Sequence, residues 1–328
     1  MLLPSVQTTA LNHQYITLTN KEKKMIQNKP IQNKPYEFMV KYTPQREWIE
    51  KQGILMWLST FFVEVGAATF FFASIFGSYV IMVVGIFMCA VLGGGLLLAD
   101  LGRPLRVWRI LFSSCWKTSW IARGMWCVSL FIIFSGIYLL SALSSSSIPG
   151  LLIVANVFAF CTIIYFGFLL SYVNGLALWN SALLPILILV ISLWGGLNIY
   201  KLISLVTVIE SANLQFFSKI FPLIVLFIVI CYLVGINYQG EAGRVTFGEI
   251  VWRKYAPLLW IGFVLPGVVF PIALGLIDRH IVSLPNIYLY ILIIFELGAN
   301  LSLRYCILRC AMYEPLIPIK SYVTTAQK

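Results

Sequence analysis

Long apolar runs alternate with short polar or basic stretches along most of the chain, and this alternation predicts its elements. Eight runs approach the roughly 20 mostly apolar residues that a helix needs to cross a bilayer. They fall at about 53–73, 79–99, 120–143, 149–172, 179–198, 220–237, 256–276 and 286–308. The runs are too long and continuous for barrel strands, which are shorter and alternate in polarity. The predicted fold class is therefore an all-α integral membrane protein with eight transmembrane helices. Only Ser74 to Ser78 separates the first two runs, and Ser144 to Pro149 the third and fourth, so these neighbours are antiparallel. The pattern suggests two four-helix transmembrane bundles, residues 51–175 and 176–312, between a polar arm (1–50) and a C-terminal tail (313–328). Longer connections at about 199–219 and 238–255 leave room for surface helices.

Within the arm, IQNKP occurs at 26–30 and again at 31–35, and the Lys, Asn, Gln and Pro content is too polar to fold alone. Disorder is expected over about 1–40, and the arm lacks the short apolar core of a signal peptide. Small residues mark where helices approach closely: Gly66, Ala67 and Ala68, Gly93 to Gly95, and Gly195 with Gly196. Pro185, Pro266 and Pro271 are expected to kink spans five and seven.

Composition agrees with the pattern. The chain is 60% hydrophobic and 11% charged, with a mean hydropathy of +0.90, where soluble proteins carry about 25% charged residues. A net charge of +11 could point to nucleic acid, but the basic residues are distributed loop by loop, which is a topology signal and leaves no nucleic-acid partner to expect. Twenty of the 23 Lys and Arg fall on the face shared by both termini, and only Lys201, Lys219 and Arg279 on the other. The positive-inside rule then places both termini in the cytoplasm. The seven cysteines lie mostly within spans, form no CxxC, and read as small fillers of helix interfaces. The two histidines, His13 in the arm and His280 in a loop, leave no axial ligand inside a span, so no haem or metal is expected in this chain.

One stretch departs from the apolar background. DLGRPLRVWRILFSSCWKTSWIARG, residues 100–124, sets Arg103, Arg106, Arg109, Lys117 and Arg123 against the single acid Asp100. The run LADLGRP that ends span two, and TSWIARG that opens span three, resemble the NrfD-type, polysulfide-reductase-like family of membrane subunits. So do YFGFLLSYVNGLALWNSALLP (165–185) and ELGANLSLRYCILRCAMYEPL (296–316), in order and spacing, across about residues 50–318. The resemblance implies a subunit of the bacterial cytoplasmic membrane that interacts with the quinone pool, menaquinone or ubiquinone. It implies two partners: an iron–sulfur subunit and a catalytic oxidoreductase subunit. It also implies that the span-four tyrosine followed by x-G contributes to the quinone site, and Tyr165 of Tyr165-Phe166-Gly167 matches it. The polar first-span Asn and His of some members stand here as Trp57 and Thr60. The family's pocket lies toward the face carrying the termini, where in many members the partner docks from outside the cytoplasm. Charge counting puts that face inside, so either the partner is cytoplasmic or the basic loop is a docking surface that overrides the rule.

Ionisable residues inside spans are few, and a carboxyl at that depth costs about 3 kcal/mol on insertion scales. Glu64 and Glu296 are the clear cases. Trp57, Thr60 and Glu64 share one helix face, with Glu64 about 16 Å below the start of span one and Tyr165 about 12 Å deep from the same membrane face. Thr60, Glu64 and Tyr165 can therefore meet inside the first bundle, where a phenol could donate to a quinone carbonyl and an acid could exchange the accompanying proton. The alternative is an interface tyrosine and a structural acid bonded to a neighbouring helix. Glu296, Asn300 and Arg304, spaced by four, form one stripe that either locks the second bundle by an internal ion pair or belongs to a proton path. Asp100 with Arg103 or Arg123 is either a corner ion pair or a gate beside the head group. Arg103, Arg106, Arg109 and Arg123 are candidates for partner docking or gating. Competing functions are a secondary transporter or proton-conducting protein, and a passive anchor without a quinone site.

Overall fold

The computed structural model describes residues 39, 41–46, 48–50, 53–112, 117–144, 148–207, 212–280 and 287–316. The disorder expected over 1–40, the IQNKP repeat, His13, Cys115 and the tail beyond 316 lie outside the described residues. Among the described residues, eight helices are long and apolar enough to cross a membrane: α1 Gly53–Phe76, α2 Tyr79–Asp100, α3 Trp120–Leu143, α4 Pro149–Ser171, α5 Leu183–Thr207, α6 Phe217–Asn237, α7 Ala256–Ile277 and α8 Ile287–Arg309. The chain is an all-α, multi-pass membrane protein.

Local chemistry explains several boundaries. Gly77, at φ +75°, supplies the left-handed turn that lets α1 reverse into α2 within two residues. Ser119 caps α3 by accepting from the Ala122 amide at 3.4 Å. The connection before α7 contains the surface helix Glu241–Val251 for which the sequence leaves room. Other boundaries differ from the apolar runs. Because α5 begins at Leu183, Pro185 sits in its first turn, where a missing amide hydrogen costs nothing, and it does not kink the helix interior. At its other end α5 continues to Thr207 and takes in Lys201, which charge counting places in a loop. The helix can continue because that ammonium is neutralised by Glu296 of α8, 3.6 Å away. Likewise a helix reaches His280, and no loop begins before it. Pro266 lies in a wider, π-helical stretch of α7, Trp260–Val269, which absorbs the disrupted hydrogen bond.

The expected partition into two four-helix bundles is not confirmed by the packing. About 61% of the apolar window of α1, 67% of that of α5 and 56% of that of α8 is buried inside the protein, against 17% for α3 and for α7. These three helices form a common axis, in which α1 packs on α5 as well as on its hairpin partner α2. Glycines make this possible. A Cβ on Gly196 would come within 2.5 Å of Ala68 Cβ and 2.6 Å of its carbonyl carbon, and one on Gly66 within 2.6 Å of the Cys89 amide nitrogen. Of the three glycines at 93–95, Gly93 alone is pressed on α1, with Val63; Gly95 faces open space.

The segments flanking the spans meet at one face. Strand β1 (Thr43–Pro44) pairs antiparallel with β2 (Met312–Tyr313), and the Gln45 amide donates to the Ala311 carbonyl at 2.7 Å. Arg309 reaches Glu50 at 2.8 Å, and Trp48 packs against Trp179 at 5.1 Å. The last residues of the polar arm are thus folded onto the end of α8.

Because the α1–α5 contact leaves no room for a methyl group, Gly196→Ala should lower the stability of the detergent-solubilised protein by about 1–3 kcal/mol. Gly95→Ala should leave it unchanged or raise it. Thermal unfolding midpoints of the two variants check this pair.

Candidate functional site

At the centre of the three-helix axis lies a closed polar cluster. Glu64 of α1 is fully buried, and its Oε2 accepts from Arg304 Nη1 of α8 at 2.5 Å and from the Ser192 hydroxyl of α5 at 2.8 Å. Arg304 also donates to Ser192 Oγ at 2.6 Å through Nη2 and to Asn300 Oδ1 at 3.0 Å through Nε. Asn300 in turn donates to the Ile191 carbonyl. An arginine so placed offers several donors in a rigid fork, and here it uses them to tie three helices at one level. Among the described residues only one carboxylate oxygen is bound, and the buried Glu64 Oε1 has no hydrogen-bond partner.

The stripe on α8 therefore does not close on itself. Arg304 pairs with α1, and Glu296, two turns away, pairs with Lys201 of α5. An internal Glu296–Arg304 pair would need both side chains on one helix to give up these partners, and eight residues separate them by about 12 Å of rise. Ser192, Lys201 and Asn198 are the residues that the apolar pattern conceals. Ser192 is a lone hydroxyl in a run of Ile, Leu and Val, and Lys201 falls beyond the apolar window drawn for span five.

Tyr165 of α4 is half-buried at the seam between the two large apolar clusters and packs on both. Its ring occupies the space beside Gly124 of α3, where a Cβ would lie 2.3 Å from Tyr165 Cε2. Among the described residues its hydroxyl has no hydrogen-bond partner. Thr60 is buried and donates to the Trp57 carbonyl at 3.0 Å. Trp57 turns toward α8, donating to the Leu301 carbonyl at 3.2 Å and meeting Tyr305 edge-on at 5.4 Å. Glu64 and Trp57 thus face α8, while Tyr165 comes up beside α3.

The basic connection is a surface feature. Arg103, Arg106 and Arg109 are exposed, as are Leu105, Trp108 and Phe112 between and beside them. The corner ion pair considered for Asp100 is absent: among the described residues it pairs with neither Arg103 nor Arg123. Arg123 instead donates to the Lys117 carbonyl and lies 4.8 Å over the Trp120 ring. Among the described residues, no three His, Cys, Asp or Glu are grouped so as to hold a metal ion.

An eight-span helical protein with buried charge on its central axis and a basic connection between spans two and three defines a class of membrane subunit. A family model described as "Polysulphide reductase, NrfD" matches residues 52–315, and the chain belongs to that family. It is also 27% identical over 247 residues to the C subunit of polysulfide reductase from Wolinella succinogenes, covering 66% of this protein and 77% of that one.

Removing one partner of the central pair leaves a charge buried and uncompensated, which costs about 3–5 kcal/mol. Arg304→Leu should therefore be strongly destabilising, and the double variant Glu64→Gln/Arg304→Leu should recover part of the loss. Denaturant titration in detergent measures both, and equal stabilities for the single and double variants would show that the pair does not tie the helices.

Proposed function

We propose that the chain is a quinone-interacting membrane subunit of a multi-subunit respiratory oxidoreductase in a bacterial cytoplasmic membrane, exchanging electrons between the quinone pool and an iron–sulfur partner subunit. Membership of the NrfD family supports this reading, as does similarity to a protein named as one subunit of a polysulfide reductase. The observation that carries it is the half-buried Tyr165 hydroxyl, unpaired among the described residues and set against Gly124.

The chemistry follows from those groups. Tyr165 has a donor to offer a quinone carbonyl. Glu64 has one oxygen anchored by Arg304 and Ser192 and the other unpaired. An acid held in that way keeps its position while its open oxygen takes or gives a proton, which general acid–base chemistry requires. The lipid-soluble carrier delivers two electrons and two protons per molecule; the side chains handle the protons, and the electrons pass to the iron–sulfur partner. The exposed Arg103, Arg106 and Arg109, with Leu105 and Trp108 between them, form the docking surface for that partner at the membrane interface.

In the assembled complex, Tyr165→Phe should lower quinol-dependent turnover about tenfold, the value of one hydrogen bond to the head group. Glu64→Gln should lower it further. Steady-state quinol oxidation by purified complexes measures the effect, and wild-type rates in both variants would reduce the chain to a passive anchor.

A further inference from the structure

We propose that Cys127 of α3 and Cys161 of α4 form a redox-active dithiol, a modification site one helical turn below Tyr165 that membrane quinone oxidises to a disulfide and quinol reduces again. Its oxidant is the carrier of the quinone reading, on which the site therefore rests.

The register of the two helices sets the pair in place. Because a Cβ on Gly124 would lie 2.3 Å from the Tyr165 ring, residues 124 and 165 are opposed across the α3–α4 seam. Cys127 is three residues further along α3 and Cys161 four residues back along α4, so each shares a face with the residue above it. The helices are antiparallel, and both steps therefore lead the same way, into the membrane, by about 4.5 Å and about 6 Å. The two cysteines reach one level, and their side chains stand beside each other. A disulfide spans Cα atoms up to about 7 Å apart. Glycine at one level of a seam and cysteine at the next are small enough to let membrane helices approach that closely.

Access separates this pair from the other thiols. Both cysteines are half-buried, and only 17% of the apolar window of α3 is buried inside the protein. Their chain neighbours Trp126 and Phe160 are 37% and 43% exposed, and exposure at that depth is exposure to lipid. An oxidant therefore reaches the pair through the bilayer, a route open to a quinone and closed to charged reagents. Cys306 and Cys310, at the end of α8, bring their sulfurs within 3.6 Å of each other but are buried and walled off from lipid. Apolar filling accounts for cysteines one at a time. Two placed opposite each other, a turn from the phenol, have a chemistry that neither has alone.

The step balances. Each thiol gives up one proton and one electron, two S–H bonds break and one S–S bond forms, and the quinone takes both electrons and both protons to become quinol. Excess quinol runs the exchange backwards, so the bond follows the redox state of the pool. Once closed, it ties α3, which packs mainly on α4, to that helix just below the place where Gly124 walls the Tyr165 ring.

The test uses the assembled complex in proteoliposomes, reduced with dithiothreitol, freed of it, and incubated with a decyl-substituted ubiquinone, whose ring has no free position for a thiol to add to. Denaturation in a maleimide reagent then labels the free thiols. This chain should show two fewer labelled thiols than the reduced control and a cross-linked peptide joining residues 127 and 161, and dithiothreitol should reverse both changes. Ferricyanide, which is charged, should leave the labelling unchanged. Cys127→Ser and Cys161→Ser, each a small change at a half-buried position, should abolish the loss. A loss that persists in either variant, or a linked peptide joining 306 and 310 in its place, overturns the assignment to this pair, and closure by ferricyanide overturns the route through the membrane. Full labelling of quinone-treated wild type in a complex that turns over quinol normally overturns the dithiol alone. Absence of quinol turnover in the wild type overturns it together with the reading on which it rests.

Discussion

The fold depends on one constraint: a carboxylate and a guanidinium carried on the first and last spans cannot each remain alone in an apolar interior. Desolvating either charge costs several kcal/mol, and only a well-bonded partner offsets it. Glu64 and Arg304 meet that requirement at 2.5 Å, and Ser192 brings α5 into the same contact. The pairing fixes the relative height of three helices that are far apart in sequence. Once their register is set, the small residues at 195 and 196 fall opposite Val65 and Ala68, and the helices can close to backbone contact. Membrane helices gain nothing from exchanging lipid for Leu, so close approach and polar bonding hold such an axis together.

Around that axis the remaining spans have looser tasks. α2 and α4 complete the packing of α1, while few residues of α3 and α7 are buried inside the protein. The position of α3 nonetheless matters to the site, because Gly124 makes the space in which the Tyr165 ring lies. At the face bearing the termini, β1 and β2 clip the two flanking segments together, with Trp48 on Trp179 and Arg309 on Glu50. That clip anchors the end of α8 and so steadies Arg304 from below.

Two levels of buried charge emerge, one closed and one open. The closed level orients Glu64 and leaves one oxygen unpaired. The open level, at Glu296, Lys201 and Asn198, is looser: the ion pair spans 3.6 Å, and Asn198 stands beside the carboxylate. The contrast leaves the axis tightest at the Glu64 level and looser toward the opposite face.

The sequence by itself determined the class of fold. Eight apolar runs of bilayer length need no tertiary information, because the bilayer imposes both length and helicity on each segment separately. It also singled out Glu64, Glu296 and Arg304, since charge stands out against such a background, while Tyr165 was marked by the family resemblance that the surrounding runs carry. Partnership was decided only by the tertiary structure. Glu296 and Arg304 look paired along one helix, yet each binds a residue more than 90 positions away, because pairing depends on which faces meet and not on spacing. Lys201 looked like a loop residue for the same reason: a helix may carry a buried charge only where another helix brings its counter-charge, and no local pattern records what lies across the interface.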